Sequence, residues 1–139
     1  MEDVVMETDY HNLYLCPSNI NLAGAEIELV GEDRREFLLK EALSEIKDDY
    51  DFIIIDCPPS LGLLTLNSFV CADSVIIPIQ CEYYALEGLS DLVGTVRLIN
   101  QRMNPDLRIE GLVMTMYDAR NRLATDVESA LRMHFPGLV

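Results

Sequence analysis

Asp51-Phe52-Ile53-Ile54-Ile55-Asp56-Cys57-Pro58-Pro59-Ser60 is the stretch that orients the reading of the whole chain. Phe52 to Ile55 is an unbroken apolar run, without the alternation of a strand that has one wet face. Such a run predicts a strand covered on both sides in a parallel sheet. Asp56 closes it. In open α/β sheets ligands sit beyond the carboxyl ends of the strands, so Asp56 is expected to place a carboxylate at that crevice. A hard oxygen there suits Mg²⁺, through water, beside nucleotide phosphates, as in a Walker B element. The plainer alternative is an aspartate that caps the following turn or helix. Pro58 and Pro59 fix the next backbone and remove two amide donors. A stiff loop behind a metal-proximal carboxylate suits sensing of a γ-phosphate, and a rigid turn is the simpler local reading.

Outward from this stretch, strands and helices alternate. Leu13 to Cys16 reads as a short strand stopped by Pro17, Ala23 to Val30 as a short helix, and Asp33 to Lys47 as a longer one with Phe37, Leu38, Ala42, Leu43 and Ile46 at helical spacing. Leu61 to Ala72 is predicted helical, Ser74 to Ile79 a second buried strand, Ala85 to Met103 a long helix, and Ile109 to Met116 a further strand. Thr125-Asp126-Val127-Glu128 has capping-box spacing and is expected to open a last helix through about Phe135. This alternation predicts an α/β fold, a three-layer sandwich with a mostly parallel sheet. Residues 1–139 are expected to form a single domain. They stop at Pro136-Gly137-Leu138-Val139, where a further strand is expected to begin.

The 139 residues are 50% hydrophobic, with mean hydropathy +0.14, which excludes an intrinsically disordered chain. No apolar run approaches the ~20 residues of a membrane-spanning helix. No basic segment followed by an apolar one opens the chain, so a cytosolic location is expected. There are 24 acidic and 10 basic side chains, a net charge of −14. That excludes a protein whose whole surface binds nucleic acid and leaves room only for a local basic patch. Cys16, Cys57, Cys71 and Cys81 contain no C-x-x-C pair, so they are expected to be reduced, mostly buried thiols.

Phosphate-binding signatures are missing: the chain has no G-x-x-x-x-G-K-[ST] and no G-x-G-x-x-G, and its two lysines, Lys40 and Lys47, sit on a helical segment. Arg120 and Arg122 form either a small DNA-contacting patch or an ordinary solvated loop. Tyr83 and Tyr84 are expected to anchor a core or an interface rather than stack on a base. The face of Leu86, Leu89, Leu92, Val93, Val96 and Ile99 reads as core. His11 and His134 are ordinary surface or helix-end histidines.

Four stretches carry a family resemblance: Asp51 to Leu66 (DFIIIDCPPSLGLLTL), Ile77 to Leu89 (IPIQCEYYALEGL), Gly111 to Arg120 (GLVMTMYDAR) and Pro17 to Val30 (PSNINLAGAEIELV). They resemble the ParA/Soj family of chromosome- and plasmid-partitioning ATPases, over nearly the whole chain. The strings EYYALEGL and AGAEIELV are far more specific than the Asp56 pattern. The resemblance implies a P-loop ATPase that dimerises with ATP, binds DNA non-specifically, and is stimulated by a ParB/Spo0J-type partner. It implies Mg²⁺ and ATP as cofactors and a nucleoid-associated, cytoplasmic location, with no membrane partner. It makes Asp56 the carboxylate near Mg²⁺, acting through water, and puts Pro58, Pro59 and Ser60 in a switch-like loop. Gln80, Met116 and Asp118 would lie near the nucleotide, Glu82 and Tyr83 at the dimer or partner face, and Arg120 against DNA.

The chain departs from the family pattern. The Lys-Gly-Gly-Val-Gly-Lys-Thr loop, the Asp-x-Asp-Pro-Gln segment with its catalytic aspartate, and the Pro-Arg-Asn segment are absent from the sequence. The chain therefore resembles the central part of such an ATPase, and no catalytic residue is assigned within it. By itself it is expected not to hydrolyse ATP. Its Phe52–Ile55 edge is expected to lack a strand partner, which makes the chain marginally stable or prone to pair with another chain. The alternatives are a MinD-type positioning ATPase, and a non-catalytic module that dimerises with a full-length ATPase.

Overall fold

The computed structural model describes residues 2–58, 60–82 and 84–139. The chain forms two compact units, residues 1–71 and 72–139. The fold is α/β, as the alternation predicts, in partial form.

In the first unit, β1 (Met6–Glu7) and β2 (Tyr14–Leu15) form a short antiparallel ladder. Thr8 closes it: its Oγ1 donates to the Leu13 carbonyl at 2.8 Å and accepts from the Tyr10 amide at 3.2 Å. α1 (Leu22–Glu28) tightens into a 3₁₀ turn at Leu29–Gly31. The long helix predicted over Asp33 to Lys47 is broken. Only α2 (Leu38–Leu43) is α-helical, with a 3₁₀ turn at Lys47–Asp49. Arg34 has φ +55°, a left-handed conformation that no α-helix interior accommodates. The apolar spacing there reflects which side is buried rather than a continuous helix. α3 (Leu63–Cys71) follows, with Phe69 and Val70 buried.

α2 has no side-chain cap of its own at Phe37. Asn67 of α3, only 4% exposed, takes that part. Its Oδ1 accepts from the Leu39 amide at 3.1 Å, and its Nδ2 donates to the carbonyls of Arg35 (2.8 Å) and Leu63 (3.0 Å). One buried amide thus satisfies a donor in the first turn of α2 and ties the preceding turn to α3.

The strand predicted at Phe52 to Ile55 is not formed. Residues 52–58 run without regular structure, and Phe52 and Ile54 are 86% and 92% exposed. An apolar run becomes a buried strand only where neighbours pair its edges and cover its faces. Among the described residues no strand does so.

The second unit is a βαβ arrangement. β3 (Ser74–Gln80) and β4 (Arg108–Thr115) are parallel, in register from Ser74↔Arg108 to Gln80↔Thr115, with a shift between Val75 and Ile76. α4 (Ala85–Arg102) joins them and buries Leu89, Val93, Val96 and Ile99, the face expected from its spacing. Ile77, Ile79, Leu112, Val127 and Leu131 complete the core. β3 was expected to be covered on both faces. It alternates instead: Ile77 and Ile79 are buried while Ile76 and Pro78 are exposed.

α5 spans Arg122–His134 and starts before the predicted capping box. Asn121 is the cap, its Oδ1 accepting from the Leu123 amide at 3.0 Å, whereas Thr125 Oγ1 donates within the helix to the Arg122 carbonyl. The asparagine wins because its short side chain reaches the first free donors from an extended backbone. Beyond α5 the chain turns back, and the Leu138 carbonyl accepts from the Leu112 amide on β4. The four cysteines are free, as expected, but not buried: Cys16 is exposed, and Cys57, Cys71 and Cys81 are half-buried.

Candidate functional site

Asp56 directly follows the apolar run Phe52 to Ile55 in the first unit. Its carboxylate is exposed and makes no hydrogen bond or ion pair among the described residues. Pro58 and Ser60 are exposed in the loop that leads into α3, and Pro59 lies outside the described residues. No group of three or more His, Cys, Asp or Glu side chains gathers among the described residues as an all-protein metal cage. A lone, unspent carboxylate fits Mg²⁺, which keeps several waters and takes its other ligands from phosphate oxygens. At the far end of the loop, Glu26 of α1 reaches the first turn of α3, with Oε1 3.4 Å from the Leu64 amide.

In the second unit, Gln80 and Thr115 face each other at the carboxyl ends of the parallel pair. The chain leaves β3 by a tight turn: the Glu82 amide donates to the Gln80 carbonyl at 2.9 Å, and the Ala85 amide to the Glu82 carbonyl at 3.1 Å. An open groove of about 330 Å³ lies beside this turn, lined by Pro78, Gln80, Glu82, Tyr84 and Gly88 among others. Tyr83 lies outside the described residues. Met116 directly follows β4 with φ +52° and is 84% exposed. A non-glycine residue in that conformation costs roughly 1–3 kcal/mol, and such residues cluster at functional sites. Gln80 and Met116 thus share one end of the strand pair.

Asp118 and Arg120 are brought together. The Arg120 guanidinium grips the carboxylate with two bonds, Nε to Oδ1 at 3.0 Å and Nη2 to Oδ2 at 2.9 Å, and the Arg120 amide adds a third at 2.9 Å. The Arg120 side chain, then its backbone amide, hold the Asp118 carboxyl below its ordinary value, and Asp118 raises Arg120 in turn. Both groups are solvated, so the pair is weakly held and an incoming phosphate can compete for the arginine. Arg122 lies 3.8 Å from Asp126 on its own helix.

Sequence reasoning missed three features. The Tyr117 hydroxyl donates to Glu128 at 2.6 Å, and Arg132 Nε donates to the other Glu128 oxygen at 2.9 Å, pinning the loop after β4 to α5. The hydrogen bond to Glu128 raises the Tyr117 phenol, and that bond, then Arg132, lowers the Glu128 carboxyl. The other two are the Asn67 cap and the Glu26 contact. Asn67, one of three polar residues with Thr65 and Ser68 inside the otherwise apolar stretch Leu63 to Val70, was itself the available signal for the α2 cap.

The AAA domain family matches residues 1–109. The sporulation initiation inhibitor protein Soj of Bacillus subtilis is 55% identical over 133 residues, covering 96% of this chain and 53% of Soj. The chromosome partitioning protein ParA of Myxococcus xanthus is 51% identical over 135 residues, covering 97% of this chain and 48% of that protein. Among solved structures, the cobyrinic acid a,c-diamide synthase of Mycobacterium smegmatis, with bound ADP and magnesium, matches with TM-score 0.88 and 41% identity. That match covers 97% of this chain and 55% of the other. The chain spans about half the length of the curated relatives it matches. It belongs to the AAA domain family and, within it, to the ParA/Soj group.

Proposed function

We propose that this chain is the Asp56-bearing central part of an ATPase acting in chromosome or plasmid partitioning through ATP-dependent dimerisation and non-specific DNA binding. The identity to Soj over nearly the whole chain carries this reading. Asp56 is the carboxylate beside Mg²⁺, through water. The ion supplies charge neutralisation on the phosphates during attack of water on the γ-phosphate of ATP. Pro58, Pro59 and Ser60 belong to the switch-like loop that follows, which the two proline rings stiffen. Gln80, Met116 and Asp118 lie on the nucleotide side, and Glu82 and Tyr83 face a second protomer. Arg120 exchanges Asp118 for a DNA phosphate. A ParB/Spo0J-type protein is the partner, in the cytoplasm and on the nucleoid.

The test is a thermal melt of the chain with and without millimolar Mg²⁺-ATP, beside Asp56→Ala. A ligand that binds only the folded state adds about 2.7 kcal/mol at a hundredfold excess over Kd. A rise in midpoint that Asp56→Ala removes, with the ligand-free melt unchanged, supports nucleotide binding through Asp56. A wild-type melt indifferent to ATP overturns nucleotide binding by this chain. Turnover is expected at blank level, since no lysine is placed to reach a phosphate.

The exposed run at Phe52 and Ile54 favours a second reading, a non-catalytic module that pairs with a full-length ATPase. Inhibition of such an ATPase at stoichiometric ratio supports the module, and no effect removes it.

A further inference from the structure

Glu26, half-buried on α1, directs its carboxylate at the start of α3. The Leu64 amide is one of the donors that the first turn of a helix leaves without an intrahelical partner, and Glu26 Oε1 is its acceptor at 3.4 Å. Gly62, the residue before α3, touches the same carboxylate. A Cβ there would overlap Glu26 Oε1 and come within 2.9 Å of its Cδ. The Gly62 backbone is not left-handed, so what the glycine supplies is space. A negative charge at this end also complements the helix dipole.

We propose that Glu26 is a positioning residue for the Asp56 loop: from α1 it caps α3, and Gly62 leaves it the room to do so. Between Asp56 and Leu63 there are only six residues, two of them prolines, so a shift in the first turn of α3 is passed back along a stiff backbone. The functional meaning rests on the nucleotide reading of Asp56. The cap itself does not.

The experiment is amide hydrogen exchange and amide chemical shifts on the 139-residue chain, with Glu26→Ala, Glu26→Gln, Gly62→Ala and the Glu26→Ala/Gly62→Ala pair. Glu26→Ala is expected to speed exchange of the Leu64 amide by about five- to tenfold, the size of a lost cap. Glu26→Gln, which keeps an acceptor oxygen, restores part of the protection. Gly62→Ala reproduces the loss with Glu26 still present, and the double variant is no faster than the single ones. The amide shifts of Asp56 and Ser60 move in the same variants. Should Glu26→Ala unfold the first unit, Glu26→Gln and Gly62→Ala still give the readout. Leu64 exchange unchanged in both Glu26→Ala and Gly62→Ala, or in Gly62→Ala where Glu26→Ala unfolds the unit, overturns the cap. A Leu64 response with the Asp56 and Ser60 shifts fixed overturns the positioning role. Coupled shifts in a chain whose melt ignores Mg²⁺-ATP support the positioning and sink only the nucleotide reading.

Discussion

Asn67 shows how much of this molecule rests on single side chains. Its three hydrogen bonds satisfy one amide and two carbonyls of half-buried residues around a buried side chain. Removing one side of a buried hydrogen bond leaves the other unpaired at a cost of roughly 1–3 kcal/mol. Asn67→Ala is therefore expected to destabilise the first unit by about that amount, read as a lower midpoint in urea. Met116 makes the opposite case. Relief of its left-handed backbone by Met116→Gly is expected to gain about 1 kcal/mol in the same assay, and β-branched Met116→Val to lose stability. Tyr117 and Glu128 set a pH window. Glu128's folded pKa is lowered, so its contribution is complete above the unfolded carboxylate value and lost as pH falls through the folded one. Tyr117's folded pKa is raised, so its contribution is complete below the unfolded phenol value, 10.0, and lost as pH rises through the folded one. Glu128→Gln should shift one phenol's ultraviolet titration back towards its ordinary position, whereas an unchanged titration would mean the hydrogen bond is not formed in solution.

At the scale of elements, the last helix separates two similar signals. Thr125 has the spacing of a capping box, yet its hydroxyl bonds back into the helix while Asn121 meets the free donors. Asn121→Ala is expected to cost about 1 kcal/mol and Thr125→Ala distinctly less, measured by chemical denaturation. α2 and α3 follow another rule. These short helices, of 6 and 9 residues, are capped by side chains from elsewhere in the unit, Asn67 for α2 and Glu26 for α3. Helices this short are marginal alone, so contacts distant in sequence decide where they begin.

For the whole molecule, a net charge of −14 confines any contact with DNA to local patches such as Arg120. Phe52 and Ile54 present a bare apolar edge. Ile54→Lys is expected to suppress concentration-dependent association in sedimentation while changing stability by no more than about 0.5 kcal/mol, since nothing packs on that side chain. A large loss of stability would mean that the side chain is buried in solution.

The α/β class, α1, α3, α4 and the β3–β4 pair were legible in residue order, because periodicity and unbroken apolar runs report which faces must leave water. Asp56 was singled out by its place at the end of an apolar run, whereas Gln80 and Met116 were named only through the family resemblance. What needed the tertiary structure was every feature that depends on a neighbour. An apolar run such as Phe52 to Ile55 is a strand only if a second chain segment completes its hydrogen bonds. The break before α2 depends on one left-handed residue, Arg34. The grips of Asn67, Glu26 and Glu128 join residues 28, 38 and 11 positions apart. Local sequence encodes which surface seeks burial, and only the folded chain decides which partner a polar group finds there.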